Sequence, residues 1–359
     1  MLYVGCDAHK RYSIFAVMNN EGPVGVPVRV DHDRVLFRSF LGCLPAGTSV
    51  AIETIGSWYW MVDEIEQAGH NPILTHARKA KLMMGQINKT DKLDAKGLAL
   101  LLRNGTLPEV WIPPGELRDQ RELPRLRMAL VGIRTRLKNR IHSSLAKYAI
   151  RIDEPSDLFG KAGREALAGR LGELPPQTRL SVESELVLLD QVEEQIELAE
   201  KQIKEVIAET PAMKLLMTMP GVGAILGVVI AMEIGDVERF AGAEKLASYA
   251  GTVPRVSSSG GKTHYGKSRP DVNRNLKWAF MEAANVISSH PRWWAGRHVG
   301  RLYQRIRERK GHGKAVGAVA RHLSEAAYWI LKKKEAYREP QSHIPDSSTR
   351  EETRSFHES

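Results

Sequence analysis

The chain is 359 residues long, 42% hydrophobic and 26% charged, an ordinary globular balance with enough apolar material for two or three packed domains. Its 52 Lys and Arg against 42 Asp and Glu leave a formal charge of +10, which favours a polyanionic partner, nucleic acid or an anionic membrane surface. Two cysteines, Cys6 and Cys43, exclude a disulfide framework or a zinc ribbon, and no run approaches the roughly 18 apolar residues that span a bilayer.

The opening "LYVGCDAHKRYSIFAVMN" reads as strand, polar turn and strand, with Asp7 where the first strand ends. Its charges at Asp7, Lys10 and Arg11 interrupt the apolar run, unlike a signal peptide, so a cytoplasmic protein without a membrane partner is expected. "SVAIET" predicts a short buried strand ending at Glu53. "GSWYWMVDEIEQAG" predicts a helix with Ser57 as N-cap and Gly69 at its end. Trp58, Tyr59 and Trp60 fit packing better than base stacking. "NPILTH" is a further strand, so the pattern is an α/β layer with a partly parallel sheet.

"NKTDKLDAKGLALLLRNG" then opens a helix that runs to Arg103 and stops at Gly105. Asp91 and Asp94, three apart, share one of its faces among Lys89, Lys92 and Lys96. The Pro-rich "LPEVWIPPGE" marks a boundary. From Arg118 to Ile150 a long arginine-rich helix carries Arg121, Arg125, Arg127, Arg134, Arg136, Lys138, Arg140 and Lys147. Only Asp119 and Glu122 oppose them locally, which favours a phosphate-facing surface over a merely solvated one.

After helical fragments from 151 to 180, Leu189, Val192, Ile196, Ala199, Ile203 and Val206 recur at spacings of three and four, an a/d seam on a helix of about 39 Å. Either self-association as a coiled coil or an antiparallel hairpin with the arginine-rich helix would cover it. "MPGVG", between two apolar helical stretches, fits a phosphate-approaching helix-hairpin-helix turn and a tight helix–helix corner equally. "RVSSSGGKTHYGKSRPD" predicts a basic glycine- and serine-rich loop carrying Arg255, Lys262, Lys267 and Arg269. Farther on, Arg301, Arg305 and Arg309 recur on one helix face as backbone contacts. Trp293 and Trp294 suit base stacking or core burial, and His9, His264 and His312 have no ligand-like spacing.

Four acids fall in telling places: Asp7 and Glu53 at strand ends, Asp91 and Asp94 on one helix face. Singly, each fits a turn cap, a surface acid or a first-turn helix acid better than a metal ligand. Together, on a basic chain, they weigh equally as a Mg²⁺ site, since packed carboxylates repel unless cations neutralise them.

The order Asp, Glu, Asp-x-x-Asp on this pattern resembles an RNase H-like, RuvC-type nuclease core. "VGCDAHK", "AIETIGSWYW" and "NKTDKLDAKGLALLL" resemble the DEDD transposases of bacterial insertion sequences. "MPGVGAILGVVIAMEIGDVERFAGAEKLASYAGTVPRVSSSGG" resembles that family's C-terminal transposase domain. The likeness spans roughly residues 2 to 335, with "KTDKLDA" and "YAGTVPRVSSSG" its most specific parts.

The resemblance implies a RuvC-like DEDD domain at 1–110, a helical and coiled-coil connector at 111–210, and a mainly α transposase domain at 211–336. A disordered tail would follow at 337–359. It implies Asp7, Glu53, Asp91 and Asp94 as catalytic metal ligands, with two Mg²⁺ ions per site. It implies Ser259 as nucleophile before Gly260, with Ser257 and Ser258 as neighbouring registers.

It further implies a composite active site and a structured bridge RNA pairing with target and donor duplex DNA; a homodimer or homotetramer fits the heptad seam, since two duplexes must be held together, and work at the bacterial nucleoid is expected. Lys89, Lys92, Arg134, Lys138, Arg255, Lys262, Lys267, Arg269, Arg301 and Arg305 are the candidate nucleic-acid contacts. Two rivals stand beside it: a RuvC-like structure-selective endonuclease in which water attacks, and a non-catalytic basic scaffold.

Overall fold

The first two expected strands form as β1 (Tyr3–Ala8) and β2 (Tyr12–Met18), an antiparallel pair in which Asp7 faces Ile14. After them come β3 (Val28–Asp31) and α1 (Arg34–Gly42), two elements outside the sequence expectation. Asp33 caps α1 by accepting from the Val35 and Leu36 amides at 2.8 and 3.0 Å. The expected strands follow as β4 (Ser49–Glu53) and β5 (Asn71–Thr75), with α2 (Trp58–Gln67) between them. Then come α3 (Ala77–Met84), α4 (Asp91–Arg103) and the short β6 (Glu109–Val110).

The computed structural model describes residues 1–85, 90–266 and 269–340. It divides into two compact units, Met1–Gly115 and Glu116–Ser359. In the first, the sheet order is β3-β2-β1-β4-β5-β6; β4 and β5 run parallel to β1, while β2, β3 and β6 each run antiparallel to their neighbour. Both faces of the central strands are covered, which is why they read as continuous apolar runs rather than alternating ones. Val4, Cys6, Val50 and Ile52 pack under Phe37, Leu41, Met61 and Ile65 of α1 and α2. On the opposite face, Ala51 packs with Leu98, Leu101 and Leu102 of α4, and Ile14 and Ala16 with Ala95.

Glycine decides how close α4 comes. A Cβ on Gly5 would lie 2.1 Å from the Ala95 carbonyl oxygen and 2.5 Å from the Ala99 nitrogen. The helix backbone therefore rests on the β1 backbone, with small Ala95 and Ala99 turned to the strand.

The second unit is helical. It comprises α5 (Gly115–Gln120), α6 (Glu122–Lys147), α7 (Lys161–Arg170), α8 (Pro176–Val206), α9 (Pro211–Leu216), α10 (Ala224–Ile234) and α11 (Ala243–Tyr249). A two-stranded hairpin, β7 (Val256–Ser259) and β8 (Lys262–Tyr265), precedes α12 (Arg274–Ser289), α13 (Pro291–Trp294), α14 (His298–Lys310) and α15 (His312–Lys333). Leu276, Phe280, Ile230, Leu246, Leu323 and Tyr328 belong to one core shared by α10, α11, α12 and α15.

The arginine-rich helix corrects an expectation. Arg127, Lys138 and Arg140 of α6 pair with Glu200, Glu193 and Glu185 of α8 at 2.6, 3.1 and 2.6 Å, in reversed order along the two chains. The helices are thus antiparallel, and the acids missing locally come from a segment 45 to 73 residues away. Arg118 and Arg121 are buried at 4% and 5% exposure, so the stripe is not one continuous phosphate-facing surface.

The same packing covers the a/d seam inside one chain. Leu189 joins Ile141, Leu145 and Leu167, Ile203 joins Met213 and Met232, and Val206 lies outside the seam at 72% exposure. Burying the seam therefore needs no second copy.

In "MPGVG", Gly221 has φ +76°, and a Cβ there would meet the Ala283 carbonyl of α12 at 2.3 Å, which is the tight-corner alternative. The start of the expected tail is also held: Tyr337 N–H donates to Thr218 at 2.8 Å, and the Glu339 carboxylate accepts from the His298 amide at 2.7 Å, capping α14. Residues 341–359, the rest of that tail, lie outside the described residues.

Candidate functional site

The β1–β4 register runs from Tyr3 opposite Ser49 to Cys6 opposite Ile52, so Asp7 and Glu53 stand level at the next step. Because side chains alternate along a strand, Gly5 and Asp7 face α4, whereas Cys6 faces the core of α1 and α2. Burial pushes the Cys6 thiol up to about 12, which makes it a packing group. With Gly5 admitting the helix backbone, the first turn of α4 comes down over the end of β1. Thr90 caps that turn, accepting from the Leu93 amide at 3.3 Å, and Asp91 and Asp94 lie in it. The helix-end reading of these acids and the ligand reading are therefore compatible.

Asp7 is 7% exposed, and its Oδ2 lies 3.2 Å from Nε2 of His9, which is in turn 3.1 Å from Oδ2 of Asp91. One donor atom from each of the three lies within 4.8 Å of the others. Tyr12 donates its hydroxyl to the same Asp91 oxygen at 3.0 Å, and Arg29 sits 3.9 Å above the Tyr12 ring. Burial pushes the Asp7 carboxyl above its usual range; facing His9 opposes the rise, and the charges of Asp94 and Asp91 add to it.

Among the described residues, neither Asp7 Oδ2 nor His9 Nε2 has a hydrogen-bond partner. Two donors about 2.1 Å from one cation and at right angles to each other lie about 3.0 Å apart. The observed 3.1 and 3.2 Å are close to such an edge, so the donor set fits a divalent ion.

Of the four predicted acids, Asp7 and Asp91 meet. Glu53 and Asp94 are outside this three-donor group, although Asp94's charge reaches Asp7 and Glu53's reaches Cys6. Sequence reasoning passed over His9. The missed signal was its place two residues after Asp7, just beyond the end of β1, near enough along the chain to reach the same corner.

The serine segment also differs from the expected loop. Gly260 and Gly261 have φ +57° and +76°, and positive φ at both central residues is the type I′ turn that joins two antiparallel strands. Ser259 pairs with Lys262, Ser258 with Thr263, and Ser257 with His264. By strand alternation, Ser257, Ser259, Lys262 and His264 share one face and Ser258 the other. β7 is exposed along its whole length.

The base of the hairpin, by contrast, is clamped. The Asn273 amide donates to the Tyr249 carbonyl at 2.8 Å, and its side chain donates to Glu233 Oε2 at 2.8 Å. Glu233, 2% exposed, also accepts from Arg125 at 2.7 and 3.1 Å and from Asn275 at 3.1 Å. Burial opposes its ionisation, but the hydrogen bonds from Arg125 and Asn273 prevail and hold the carboxyl below its ordinary value.

Among the nucleic-acid candidates, Lys89 and Lys267 lie outside the described residues. Lys92, Arg255, Lys262 and Arg305 are exposed, and Arg134 is half-buried. Lys138 is engaged by Glu193, Arg269 donates to Ser248 Oγ at 2.7 Å, and Arg301 donates to the Gly296 carbonyl at 2.6 Å. Trp293 is 78% exposed, with its ring 4.9 Å from that of His290, while Trp294 packs against the α14–α15 core.

Comparison with known proteins adds an independent line. A transposase family model of the DEDD, IS110 type matches residues 4–150, and the model of the IS116/IS110/IS902 transposase family matches residues 213–299. The chain is 26% identical over 275 residues to the transposase of insertion sequence element IS1328 from Yersinia enterocolitica, covering 75% of this chain and 79% of that protein. To the transposase of IS1111A from Coxiella burnetii it is 25% identical, covering 70% and 69% of the two chains. A 43.6 kDa protein of insertion element IS110 from Streptomyces coelicolor is 34% identical over 146 residues, covering 40% and 35%.

Proposed function

From the premise that this chain belongs to the IS110/IS116/IS902 family of insertion-sequence transposases, enzymes that recombine DNA, we propose that it cuts and rejoins DNA under the guidance of a structured RNA. The observation that carries a catalytic reading is the Asp7–His9–Asp91 cluster at the end of a central strand, with its two orphaned buried atoms. The strand order β3-β2-β1-β4-β5, antiparallel only on the β2 side of β1 up to β5, supports an RNase H-like, RuvC-type core.

Asp7, Glu53, Asp91 and Asp94 are the residues proposed to hold divalent ions, Mg²⁺ in the first instance and two per site. When bound, such ions supply Lewis-acid stabilisation of charge on the reacting phosphate. The protein's own part is positional. Gly5 and Ala95 fix the height of Asp91 over β1, and Tyr12 orients its carboxylate.

Ser259 is the proposed nucleophile. Its Oγ forms an ester to the scissile phosphorus as one phosphodiester P–O bond breaks, and the departing DNA oxygen takes up a proton. A DNA hydroxyl then attacks the phosphoserine, reforming a phosphodiester and returning Ser259. Exposure on a hairpin tip suits a nucleophile that must enter a DNA backbone. Lys262 on the same face, with Arg255 nearby, supplies positive charge towards phosphate. Holding target and donor duplexes together calls for a dimer or tetramer, in the bacterial cytoplasm at the nucleoid. No helix among the described residues is long and apolar enough to cross a membrane.

The test is a covalent one. Wild-type protein incubated with its DNA, divalent ion and co-purifying RNA yields a protein–DNA adduct on denaturing gels, and Ser259→Ala yields none. Cleavage without any adduct would select the hydrolytic RuvC-like reading instead. Sequencing the co-purifying RNA recovers one discrete species under the guided reading; random fragments would sink it.

A further inference from the structure

His9 is the member of the cluster that the four-acid pattern does not contain. Its Nε2 lies 3.2 Å from an oxygen of Asp7 and 3.1 Å from an oxygen of Asp91, and makes a hydrogen bond to neither. An imidazolium held there as a simple ion-pair partner would aim its N–H at one carboxylate oxygen, because such charge-assisted bonds are directional and short. Here the nitrogen and the Asp7 oxygen both lack a partner among the described residues, within 4.8 Å of each other and of an Asp91 oxygen. The ring is held from behind by Tyr12, whose centroid is 4.7 Å away, and Tyr12 also donates to Asp91.

We propose that His9 Nε2 is a direct nitrogen ligand of the divalent cation shared by Asp7 and Asp91, and that this position therefore prefers a transition ion to Mg²⁺. The inference rests on the metal reading above and narrows it. Mg²⁺ demands oxygen donors, whereas an imidazole suits first-row transition ions. A position completed by Glu53 or Asp94 alone is all-oxygen and suits Mg²⁺, so two ions at this centre would differ in kind. Tyr12 acts on the site through Asp91, as an outer partner that fixes the direction of a ligand.

The experiment uses the full chain, stripped with chelator and loaded with Mn²⁺ as the probe. Pulsed electron paramagnetic resonance of the bound ion is expected to show nitrogen-14 modulation from a coordinated imidazole, absent in His9→Gln. The same substitution is expected to weaken Mn²⁺ binding about tenfold or more, while Mg²⁺ affinity, read by competition, changes less than about threefold. The chain has 12 histidines, so modulation that persists in His9→Gln would assign the nitrogen to another ring and overturn the proposal.

Bound Mn²⁺ without nitrogen coupling in the wild-type protein would also overturn it, and that measurement needs no variant to fold. Asp7→Asn separates the two levels. If it abolishes Mn²⁺ binding while wild type shows no nitrogen, only the His9 role falls. If it leaves binding unchanged, the ion is elsewhere and the underlying site reading falls with it.

Discussion

The carboxylate corner of the N-terminal unit and the serine hairpin of the C-terminal unit solve opposite problems. Asp7 is buried, and its position comes from backbone contact between β1 and α4 at Gly5. Ser259 is exposed at the tip of a two-stranded ribbon, while the polar groups that anchor that ribbon, Glu233 and Asn273, lie at its base. Like charges can be held close only where a rigid surround denies them escape, so Asp7 is built into the core while Asp91 is held over it at the half-exposed start of α4. The exposure of Ser259 suits the proposed nucleophile, which would have to reach a DNA backbone, while the ribbon's rigidity lies at its root.

Substitutions at the two regions sharpen or break this contrast. The largest effect is expected from Asp7→Asn, which removes a proposed ligand while keeping side-chain size. DNA cleavage should fall about 1,000-fold in a strand-cleavage assay, and near-wild-type cleavage would detach the corner from the chemistry.

Next comes Glu233→Gln, which removes the buried carboxylate that faces the half-buried Arg125 and the buried Arg121. Unfolding in urea should lose about 3 kcal/mol at neutral pH. Because the folded carboxyl is held below its ordinary value of about 4.5, its contribution is full above that value and disappears as pH falls through the depressed folded value. Wild-type stability should therefore drop on acidification below about pH 4.5, and the variant should show a shallower acid slope. A slope unchanged by the substitution would remove Glu233 as the acid-sensitive anchor.

Gly5→Ala should cost about 2 kcal/mol by forcing α4 off β1. It should also reduce divalent-ion affinity, because the height of Asp91 over Asp7 changes. Calorimetric titration with Mn²⁺ at unchanged affinity would show that helix height does not set the cluster. The smallest effect is expected from Gly261→Ala, about 1 kcal/mol of local strain at a positive-φ turn position with open space around it. Global melting should hardly move, whereas adduct formation by Ser259 should slow. A large global loss would mean that the hairpin is as deeply integrated as the corner.

Much of the N-terminal unit was legible in the chain. The apolar runs around Val4, Phe15, Ile52 and Leu74 announced four strands, and Asp91 with Asp94 ahead of an apolar run announced the start of α4. The C-terminal hairpin went unread: "GG" is a type I′ signal, but the serines and lysine beside it are not the β-branched or aromatic residues that announce strands.

The arginine-rich α6 shows where local reading runs out. Counting acids within 118–150 found almost none, because Glu185, Glu193 and Glu200 come from α8 after an antiparallel turn. His9 was hidden for the reverse reason. It is close to Asp7 in sequence, but its relevance appears only when Asp91 is brought from 82 residues away to the same point.

Periodicity, caps and turn residues are local properties of a chain, so the amino-acid order by itself determined which segments become strands and helices. It also set the four acids and the serine where such elements end or turn. Only the tertiary structure decided which charges neutralise one another and which donors converge. Coulomb and coordination energies depend on separations of a few ångströms between residues far apart in sequence, and packing alone sets those separations.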